Sequence, residues 1–274
     1  MTTWHYSGAG NRFVMIDDRL HEYTLDEWMS ATPALCDRSL INLPRAEGVL
    51  ILRDTGLNRI RAEFINPDGS YGAMCGNGGR AITAFAKAMG LRVDADTDIL
   101  LTLSGERYTV RFRDDDTIEI DFPAPRSEQD LPVGSLEGVD ASAYYVDVNS
   151  DHVVIDADPQ RVDPRPLRHH PHFPRGVNVN MVQVTGGVVQ LATYERGVEG
   201  ITGACGTGAL STALALWRTG RCNDDVYLVP PSGRALEVTI HHTGSAVRGF
   251  TLRGDAVEDA PPVEFDMQHR TYIT

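Results

Sequence analysis

Short apolar runs bounded by turn-forming residues recur along the chain and predict a strand-rich fold. Several of these runs alternate apolar and polar positions with a period of two, which is typical of strands buried on one face. The predicted strands span residues 13–16, 49–52, 99–103, 108–112, 117–122, 153–155, 177–184, 188–194, 236–240 and 250–252. We interpret the acidic run 114–116 as the polar turn of a hairpin rather than as a metal site.

Two segments that begin at Cys75 and Cys205 are apolar on nearly every side and predict two buried helices. Each segment reads Cys-Gly-x-Gly, continues with about a dozen small and apolar residues, and closes on a glycine that favours a helix end. The closing glycines are Gly90 and Gly220, fifteen positions after each cysteine. The two copies begin 130 positions apart, so the chain is predicted to contain two similar halves.

These patterns together predict an α/β fold of the α+β type, with two pseudo-symmetric β-rich lobes that each surround a central helix. We expect an N-terminal lobe at 1–120 that carries Cys75 and a C-terminal lobe at 121–255 that carries Cys205. The segment 121–131 is rich in proline and charge and is expected to cross from one lobe to the other.

The composition of the 274-residue chain, with 42% hydrophobic and 23% charged residues, is that of an ordinary soluble domain. No apolar run reaches the roughly 18 residues of a membrane span, and the first residues lack the features of a secretory signal. We therefore expect a cytoplasmic protein without a membrane partner. The net charge of −13 argues against nucleic-acid binding, which requires a basic face.

Single side chains exclude further classes of chemistry. Lys87 is the one lysine and lies within a predicted helix, which argues against a pyridoxal phosphate enzyme. No two of the four cysteines form a C-x-x-C pair, so zinc-ribbon spacing is absent, and we expect Cys36 and Cys222 to be buried free thiols. His169, His170 and His172 suggest a metal tract, but we interpret them as a solvated loop and expect no metal.

The start of a helix gives Cys75 and Cys205 a chemical environment of their own. Unpaired N–H groups and the positive end of the helix dipole stabilise an anion there, and they are expected to lower the pKa of the thiol below its free value of ~8.5. The glycines after each cysteine allow a substrate carboxylate to approach the backbone. Two such cradles facing one carbon could remove a proton from one side and deliver a proton to the other. This reaction inverts a stereocentre and needs no metal or cofactor.

The sequence resembles the diaminopimelate epimerase family, whose members epimerise an amino acid without a cofactor. The resemblance rests on Ser-Gly-Ala-Gly-Asn-Arg-Phe at 7–13, Phe-Ile-Asn-Pro-Asp-Gly-Ser at 64–70, Met-Cys-Gly-Asn-Gly-Gly-Arg at 74–80, Gly-Val-Asn at 176–178, Tyr-Glu-Arg-Gly at 194–197 and Ala-Cys-Gly-Thr-Gly at 204–208. Order and spacing agree along roughly residues 4 to 255. The resemblance implies an active site in the cleft between two lobes, with 256–274 returning to the first lobe.

The resemblance also implies specific roles. Cys75 is expected to deprotonate the LL substrate and Cys205 the meso product, with His152 and Glu195 orienting the substrate and tuning the thiols. The implied substrate contacts are Asn11, Asn66, Gly76, Asn77, Asn178, Glu195, Arg196, Gly206 and Thr207, of which Arg196 would bind the distal carboxylate. The implied partner is a small amino acid of lysine and peptidoglycan precursor synthesis. Family members are often dimers, which leaves a homodimer open.

Three departures from the family pattern leave the substrate open. Arg12 replaces an aspartate, and Ser150 replaces a substrate-binding asparagine two positions before His152. The stretch 198–203 is longer by one residue and lacks the glutamate of the family's Gly-Glu-Thr run. The first alternative is a cofactor-independent racemase of another amino acid, against which Arg196 argues. Two further alternatives are a related isomerase that uses a carboxylate, against which the cysteine pair argues, and a binding protein without catalysis.

Structural interpretations of the candidate residues also remain open. The two cysteines could be packing thiols, Arg196 could form a salt bridge with Glu195 as its partner, and His152 could be a hydrogen-bonded core histidine. The asparagines Asn11, Asn66 and Asn178 could stabilise turns or helix ends. For Asn66, which precedes Pro-Asp-Gly, we expect a turn role in addition to substrate binding.

Overall fold

A computed structural model describes residues 1–72, 75–137 and 142–273. The strands are β1 Thr2–Gly8, β2 Asn11–Asp17, β3 Val49–Gly56, β4 Arg59–Ile65, β5 Ile99–Leu103, β6 Glu106–Phe112, β7 Ile118–Pro123, β8 Ser127–Leu131, β9 Ala143–Asp147, β10 Asp151–Asp156, β11 Asn178–Thr185, β12 Val188–Glu195, β13 Gly200–Ile201, β14 Asp225–Val229, β15 Leu236–Thr243, β16 Ala246–Gly254, β17 Ala256–Asp266 and β18 Thr271–Tyr272. The helices are α1 Leu25–Cys36, α2 Gly76–Ala88, α3 Arg165–Arg168 and α4 Gly206–Arg218, with a 3-10 turn at Ser39–Ile41. The predicted mixed α+β fold is confirmed.

The chain forms two compact units. The first contains Met1–Ile120 together with Gly254–Thr274, and the second contains Asp121–Arg253. Most of the segment 121–131, which we expected to be a crossing, belongs to β7 and β8. Because backbone pairing with a neighbouring strand compensates for weak local propensity, a proline- and charge-rich stretch can still form strand.

Both units repeat one arrangement of hairpins. In the first unit, the antiparallel hairpins β1–β2, β3–β4 and β5–β6 are joined by the parallel pairs β2–β3 and β4–β5. In the second, the hairpins β9–β10, β11–β12 and β14–β15 are joined by the parallel pairs β10–β11 and β12–β14. Helix α2 follows the second hairpin of its unit, and α4 does the same in the other. The two similar halves predicted from the repeated cysteine motif are confirmed.

The two repeated helices are buried against their sheets. Residues 76–83 of α2 and residues 208–216 of α4 are buried, whereas the last residue of each helix is not. In α2, the ring of Phe85 packs against Trp4 and Tyr6, with centroids 5.3 and 5.6 Å apart. The prediction of two buried helices is therefore confirmed for all but the C-terminal turns.

A second core in the first unit was not predicted. Helix α1 begins with a capping box between Thr24 and Glu27 and buries Trp28 and Leu35 against β2, β3 and the C-terminal segment. The hydroxyl of Tyr272 donates to the carbonyl of Leu35 at 2.6 Å. The first unit thus contains a second helix beside the central one, and this helix packs on residues close to the end of the chain.

The cysteines outside the repeated motif differ from each other. Cys36 is buried and burial raises its thiol pKa to about 12, as expected for a packing thiol. The expectation of a buried Cys222 is wrong, because this residue is half-buried near the end of α4, with its sulfur 3.7 Å from the carbonyl of Ala213.

Across the described residues, no helix combines the length and the hydropathy required to span a membrane.

Candidate active site

The two Cys-Gly-x-Gly motifs fold into nearly identical helix starts. Cys75 and Cys205 are the N-cap residues of α2 and α4, with φ, ψ of −120°, 114° and −126°, 114°. Each sulfur accepts a hydrogen bond from the third backbone N–H of its helix, Gly78 at 3.4 Å and Gly208 at 3.3 Å. The sulfur thus occupies the position that a serine or aspartate oxygen has in an ordinary cap. Both cysteine residues are half-buried.

The residues after each cysteine provide the backbone of the expected carboxylate cradle. Gly76, Asn77 and Gly206 are buried and Thr207 is half-buried. The first N–H groups of a helix have no partner within the helix and can bind an anion. The side chain of Asn77 is bonded inside the unit, because its Oδ1 accepts from Arg80 Nη2 at 2.6 Å. Its expected contribution to substrate binding therefore rests on its backbone.

A close approach of backbone fixes the start of α2. A Cβ built on Gly8 would lie 2.3 Å from the carbonyl oxygen of Asn77, so only glycine allows β1 to lie against this turn. Asn11 is buried and pairs with Gly8 across the β1–β2 hairpin. The structure thus places Asn11 beside the strand that touches the first cradle, while its contact with substrate stays a prediction.

Asn66 occupies the turn after β4. Its backbone N–H donates to the carbonyl of Ser70 at 2.9 Å, and its side-chain Nδ2 donates to the Ser70 hydroxyl at 3.0 Å. The expected turn role is confirmed. The expected substrate contact stays a prediction.

His152 is a fully buried hydrogen-bonded histidine that reaches the first turn of α4. Its Nδ1 lies 3.2 Å from Asn180 Oδ1, and its Nε2 lies 3.0 Å from the hydroxyl of Thr207. Because Asn180 Nδ2 donates to the Gly208 carbonyl at 3.0 Å, its Oδ1 must be the acceptor for the histidine, and Nδ1 carries the proton. Burial lowers the pKa of His152 to about 4, so the ring is neutral at pH 7. The interpretation of a hydrogen-bonded core histidine is confirmed.

The thiol of Cys205 lies between a hydroxyl and a carboxyl group. Its sulfur is 3.5 Å from Thr207 Oγ1, and it also hydrogen-bonds to the carboxyl of Glu195. Glu195 in turn accepts from the Thr202 hydroxyl at 2.5 Å. Burial raises the pKa of Glu195 above its usual range, although the two hydrogen bonds partly oppose this shift.

The expectation that a helix start lowers the thiol pKa is wrong for Cys205. Burial, and then the negative charge of Glu195, raise its pKa well above the ordinary value. The hydrogen bonds from Gly208 and Thr207 favour the thiolate, but they do not outweigh the loss of solvation. Cys205 is therefore a protonated thiol at neutral pH.

Arg196 is held by an ion pair, but not by the expected one. Its Nη1 lies 3.2 Å from Asp151 Oδ2, whereas Glu195 hydrogen-bonds to Thr202 and Cys205. The backbone N–H of Arg196 donates to Asn178 Oδ1 at 2.8 Å. The neighbouring Asn178 Nδ2 donates to the hydroxyl of Ser150 at 2.9 Å and to the carbonyl of Asp151 at 2.8 Å.

Within the second unit, the structure therefore forms two groups of candidate residues. One group lies around Cys205 and contains Glu195 and Thr207, together with His152, which contacts Thr207. The other group contains Asn178, Arg196 and Ser150. The sequence did not predict the residues that connect these groups internally, which are Asn180, Thr193 and Asp151. A signal for Asn180 existed, because Asn178 and Asn180 are two positions apart in the same strand, share one face and are both buried.

Two polar runs behave as loops. Residues 114–116 form the turn between the antiparallel strands β6 and β7, as predicted. His169 and His172 are exposed, and His170 Nε2 lies 3.0 Å from the carbonyl of Glu137. In the ranges 1–72, 75–137 and 142–273, no group of three or more His, Cys, Asp or Glu side chains is arranged to hold a metal ion.

Comparison with known proteins gives this arrangement a family. The family described as Diaminopimelate epimerase matches residues 3–125 and 144–257. The chain belongs to the diaminopimelate epimerase family. It is accordingly an isomerase of the epimerase type. The chain is 30% identical to the diaminopimelate epimerase of Flavobacterium psychrophilum over 93% of its own length and 97% of that protein. It is also 30% identical to the diaminopimelate epimerase of Aquifex aeolicus, over 92% of this chain and 97% of that one.

Solved structures show the same fold at much lower identity. A phenazine biosynthesis protein of the PhzF family from Bacillus anthracis has a TM-score of 0.73 and 12% identity, and the alignment covers 96% of this chain and 97% of that one. A hydroxyproline epimerase from Agrobacterium vitis, with bound trans-4-hydroxy-L-proline, has a TM-score of 0.64 and 14% identity, covering 96% and 91%. At these identities the likeness concerns the fold alone.

Proposed function

We propose that the protein converts LL-2,6-diaminopimelate to meso-diaminopimelate with Cys75 and Cys205 as its two acid/base thiols. The observation that carries this proposal is the equivalent geometry of the two cysteines, each capping a buried helix with its sulfur on the third N–H. The relatives at 30% identity are named diaminopimelate epimerase, which supports diaminopimelate as the substrate. The proposal assigns the reaction to the cytoplasm and to lysine and peptidoglycan precursor synthesis, with no partner besides the substrate required and a homodimer left open.

The proposed chemistry requires one thiolate and one thiol. In the LL-to-meso direction, the Cys75 thiolate takes the α-proton, and the Cys205 thiol delivers its proton to the opposite face of the same carbon. The raised pKa of Cys205 supports its role as the donor in this direction. The turnover ends with a Cys75 thiol and a Cys205 thiolate, and this pair of states performs the reverse reaction.

The helix starts would stabilise the intermediate. Removal of the α-proton sends negative charge into the neighbouring carboxylate, and N–H groups aimed at that carboxylate gain strength as the charge grows. The backbone at Gly76 and Asn77 and that at Gly206 and Thr207 would provide these donors. Glu195 and His152 would act on the Cys205 side, where Glu195 bonds the thiol directly and His152 fixes Thr207.

The runner-up proposal is a cofactor-independent racemase of another amino acid. It is favoured by the residues expected to bind the distal end of the substrate. There, Ser150 replaces the asparagine of the family pattern, and Arg196 already has an internal carboxylate partner in Asp151. Both proposals share the two thiols and differ only in the group that the substrate presents to Arg196.

Proton NMR in D2O tests the proposal directly. With reductant and LL-diaminopimelate, we expect the α-proton signal to disappear while the meso isomer accumulates. Cys75→Ala and Cys205→Ala should each abolish epimerisation, whereas Cys222→Ala, outside the repeated motif, should retain it. Normal turnover by either active-site variant would refute the two-thiol mechanism. Exchange with another amino acid but not with diaminopimelate would establish the runner-up.

A further inference from the structure

A nearly buried carboxylate with a complete set of partners lies next to Arg196. The side chain of Asp151 is 12% exposed. Its Oδ1 accepts from the Tyr145 hydroxyl at 2.6 Å and from Arg175 Nη2 at 3.2 Å. Its Oδ2 accepts from Arg175 Nη2 at 3.3 Å and from Arg196 Nη1 at 3.2 Å. Three donor groups thus make four contacts with a carboxylate that has about four acceptor positions, so Asp151 is engaged mainly within the protein.

The guanidinium of Arg196 is used on one side only. Its Nη1 donates to Asp151 Oδ2 and to the Gly176 carbonyl at 3.2 Å, with the Arg175 carbonyl at 3.4 Å. Within the described part of the chain, Nε and Nη2 of Arg196 have no hydrogen-bond acceptor. The side chain is 34% exposed, so this second edge is accessible to a ligand. A guanidinium edge with two parallel N–H groups is the geometry that binds a carboxylate by two hydrogen bonds.

The backbones of the two residues are fixed to each other as well. The amide of Asn178 receives the backbone N–H of Arg196 on its oxygen and donates to the carbonyl of Asp151 from its nitrogen, both at 2.8 Å. Asn178 is buried, so this connection is shielded from water. Arg196 is thus held at its backbone by Asn178 and at the tip of its side chain by Asp151.

We propose that Asp151 is a positioning residue that holds Arg196 so that its free Nε–Nη2 edge binds the carboxylate at the distal end of a dicarboxylate substrate. This inference rests on the proposed function and assigns a task to a residue for which the sequence predicted no role. An arginine fixed before binding loses less side-chain entropy when the ligand arrives, which increases affinity. The net charge of Asp151 with Arg175 and Arg196 remains +1, so the group still attracts an anion.

Steady-state kinetics with LL-diaminopimelate test the inference through Asp151→Ala. We expect KM to rise about tenfold and kcat to stay within about threefold, because the lost contact concerns binding far from the reacting carbon. The matched control is Asp156→Ala, which removes an exposed carboxylate paired with Arg221 at 2.5 Å and should leave KM unchanged. Asp151→Asn keeps the shape and one acceptor, and should raise KM about threefold even if the alanine variant does not fold.

A double-mutant cycle separates positioning from a general effect on the fold. In an Arg196→Lys background, which has a cation but no two-pronged edge, Asp151→Ala should change KM less than twofold. An unchanged KM for both Asp151 variants, or an equal rise with and without Arg196, would overturn the inference. Absence of diaminopimelate turnover in the unmodified protein would instead refute the proposed function.

Discussion

Gly208 and Thr193 are so close that a Cβ built on the glycine would lie 2.6 Å from the threonine Oγ1. The same Cβ would lie 3.1 Å from Asn180 Oδ1. The first turn of α4 therefore packs directly on the hydrogen bonds of Asn180, which joins it to His152. At the equivalent position of α2, a Cβ on Gly78 would lie 3.4 Å from Leu50 Cδ1 and 3.5 and 3.7 Å from the Cβ and Sγ of Cys75, which are ordinary contacts. The repeated motif thus requires its second glycine in one copy and not in the other.

This difference predicts opposite results for two alanine substitutions. Gly208→Ala should lower the free energy of unfolding by about 1–3 kcal/mol, because the methyl group forces α4 away from Thr193. Gly78→Ala should change it by less than about 1 kcal/mol, since there is room and alanine favours the helix. Urea unfolding followed by circular dichroism measures both. Equal losses in the two variants would show that the close approach does not constrain α4.

Glu195 controls the titration of the neighbouring thiol. Its charge is the second cause, after burial, of the raised pKa of Cys205. Glu195→Gln should therefore lower the pH at which Cys205 becomes reactive, because the thiolate no longer meets a negative charge. The pH dependence of iodoacetamide labelling at Cys205, read by mass spectrometry of the peptide in a Cys75→Ala background, measures this shift.

The control for this experiment is Glu237→Gln, which removes a half-exposed carboxylate paired with Arg253 in the same unit. Its labelling profile should coincide with that of the parent. A Glu195→Gln profile that stays in place, or moves to higher pH, would mean that burial alone sets the reactivity of Cys205.

A buried ion pair stabilises the first unit. The Asp18 carboxylate accepts from Arg53 and, at 2.8 Å, from Trp28 Nε1, and the side chains of the pair are only 2% and 7% exposed. Asp18→Ala leaves the guanidinium buried without its counter-charge and should cost about 3–5 kcal/mol of unfolding free energy. The exposed pair of Asp163 and Arg165 gives the comparison, since Asp163→Ala should leave the urea midpoint almost unchanged. Urea midpoints that fall equally would contradict this difference.

The sequence predicted many of the parts of the fold that carry their own pattern, although it missed β4, whose polar and apolar residues alternate. Each of the ten predicted strands is an apolar or alternating run, and each is present. Strand β17 was missed because ten of its eleven side chains are exposed or half-buried and it contains Pro261 and Pro262. It is held by backbone pairing with β1, far away in the chain, which leaves no local apolar pattern. Helix α1 had a detectable signal in the Thr24 and Glu27 capping box.

In the candidate site, too, local sequence predicted some features, whereas contacts between distant segments were missed. The cysteines were identified from a repeated motif, whose local sequence determines a helix start. The partner of Arg196 lies 45 positions earlier in the chain, and the pair exists only because β10 and β12 both pair with β11. The thiol pKa was predicted in the wrong direction for a related reason. The helix start is visible in the sequence, but the burial of Cys205 and the approach of Glu195 depend on the folded unit.

Histidine burial in the first unit predicts a loss of stability on mild acidification. His5 is fully buried, with its Nδ1 3.3 Å from Arg38 Nη1, and burial followed by the charge of Arg38 lowers its pKa to about 4. In the unfolded chain the pKa of histidine is about 6.5, so the unfolded state binds the proton first. The contribution of neutral His5 is therefore complete above about pH 6.5 and is lost as the pH falls toward 4. Between pH 7.5 and pH 5 the loss is about 2 kcal/mol.

Substitution separates this contribution from those of other groups. His5→Asn removes the titration and should make the decrease in unfolding free energy between pH 7.5 and pH 5 smaller by about 2 kcal/mol than in the parent. His172→Asn, at an exposed position, should keep the parent's decrease. Urea unfolding at the two pH values measures all three proteins. Parallel decreases in the parent and in His5→Asn would mean that His5 accepts its proton without unfolding the unit, which would require solvent to reach the ring beside Arg38.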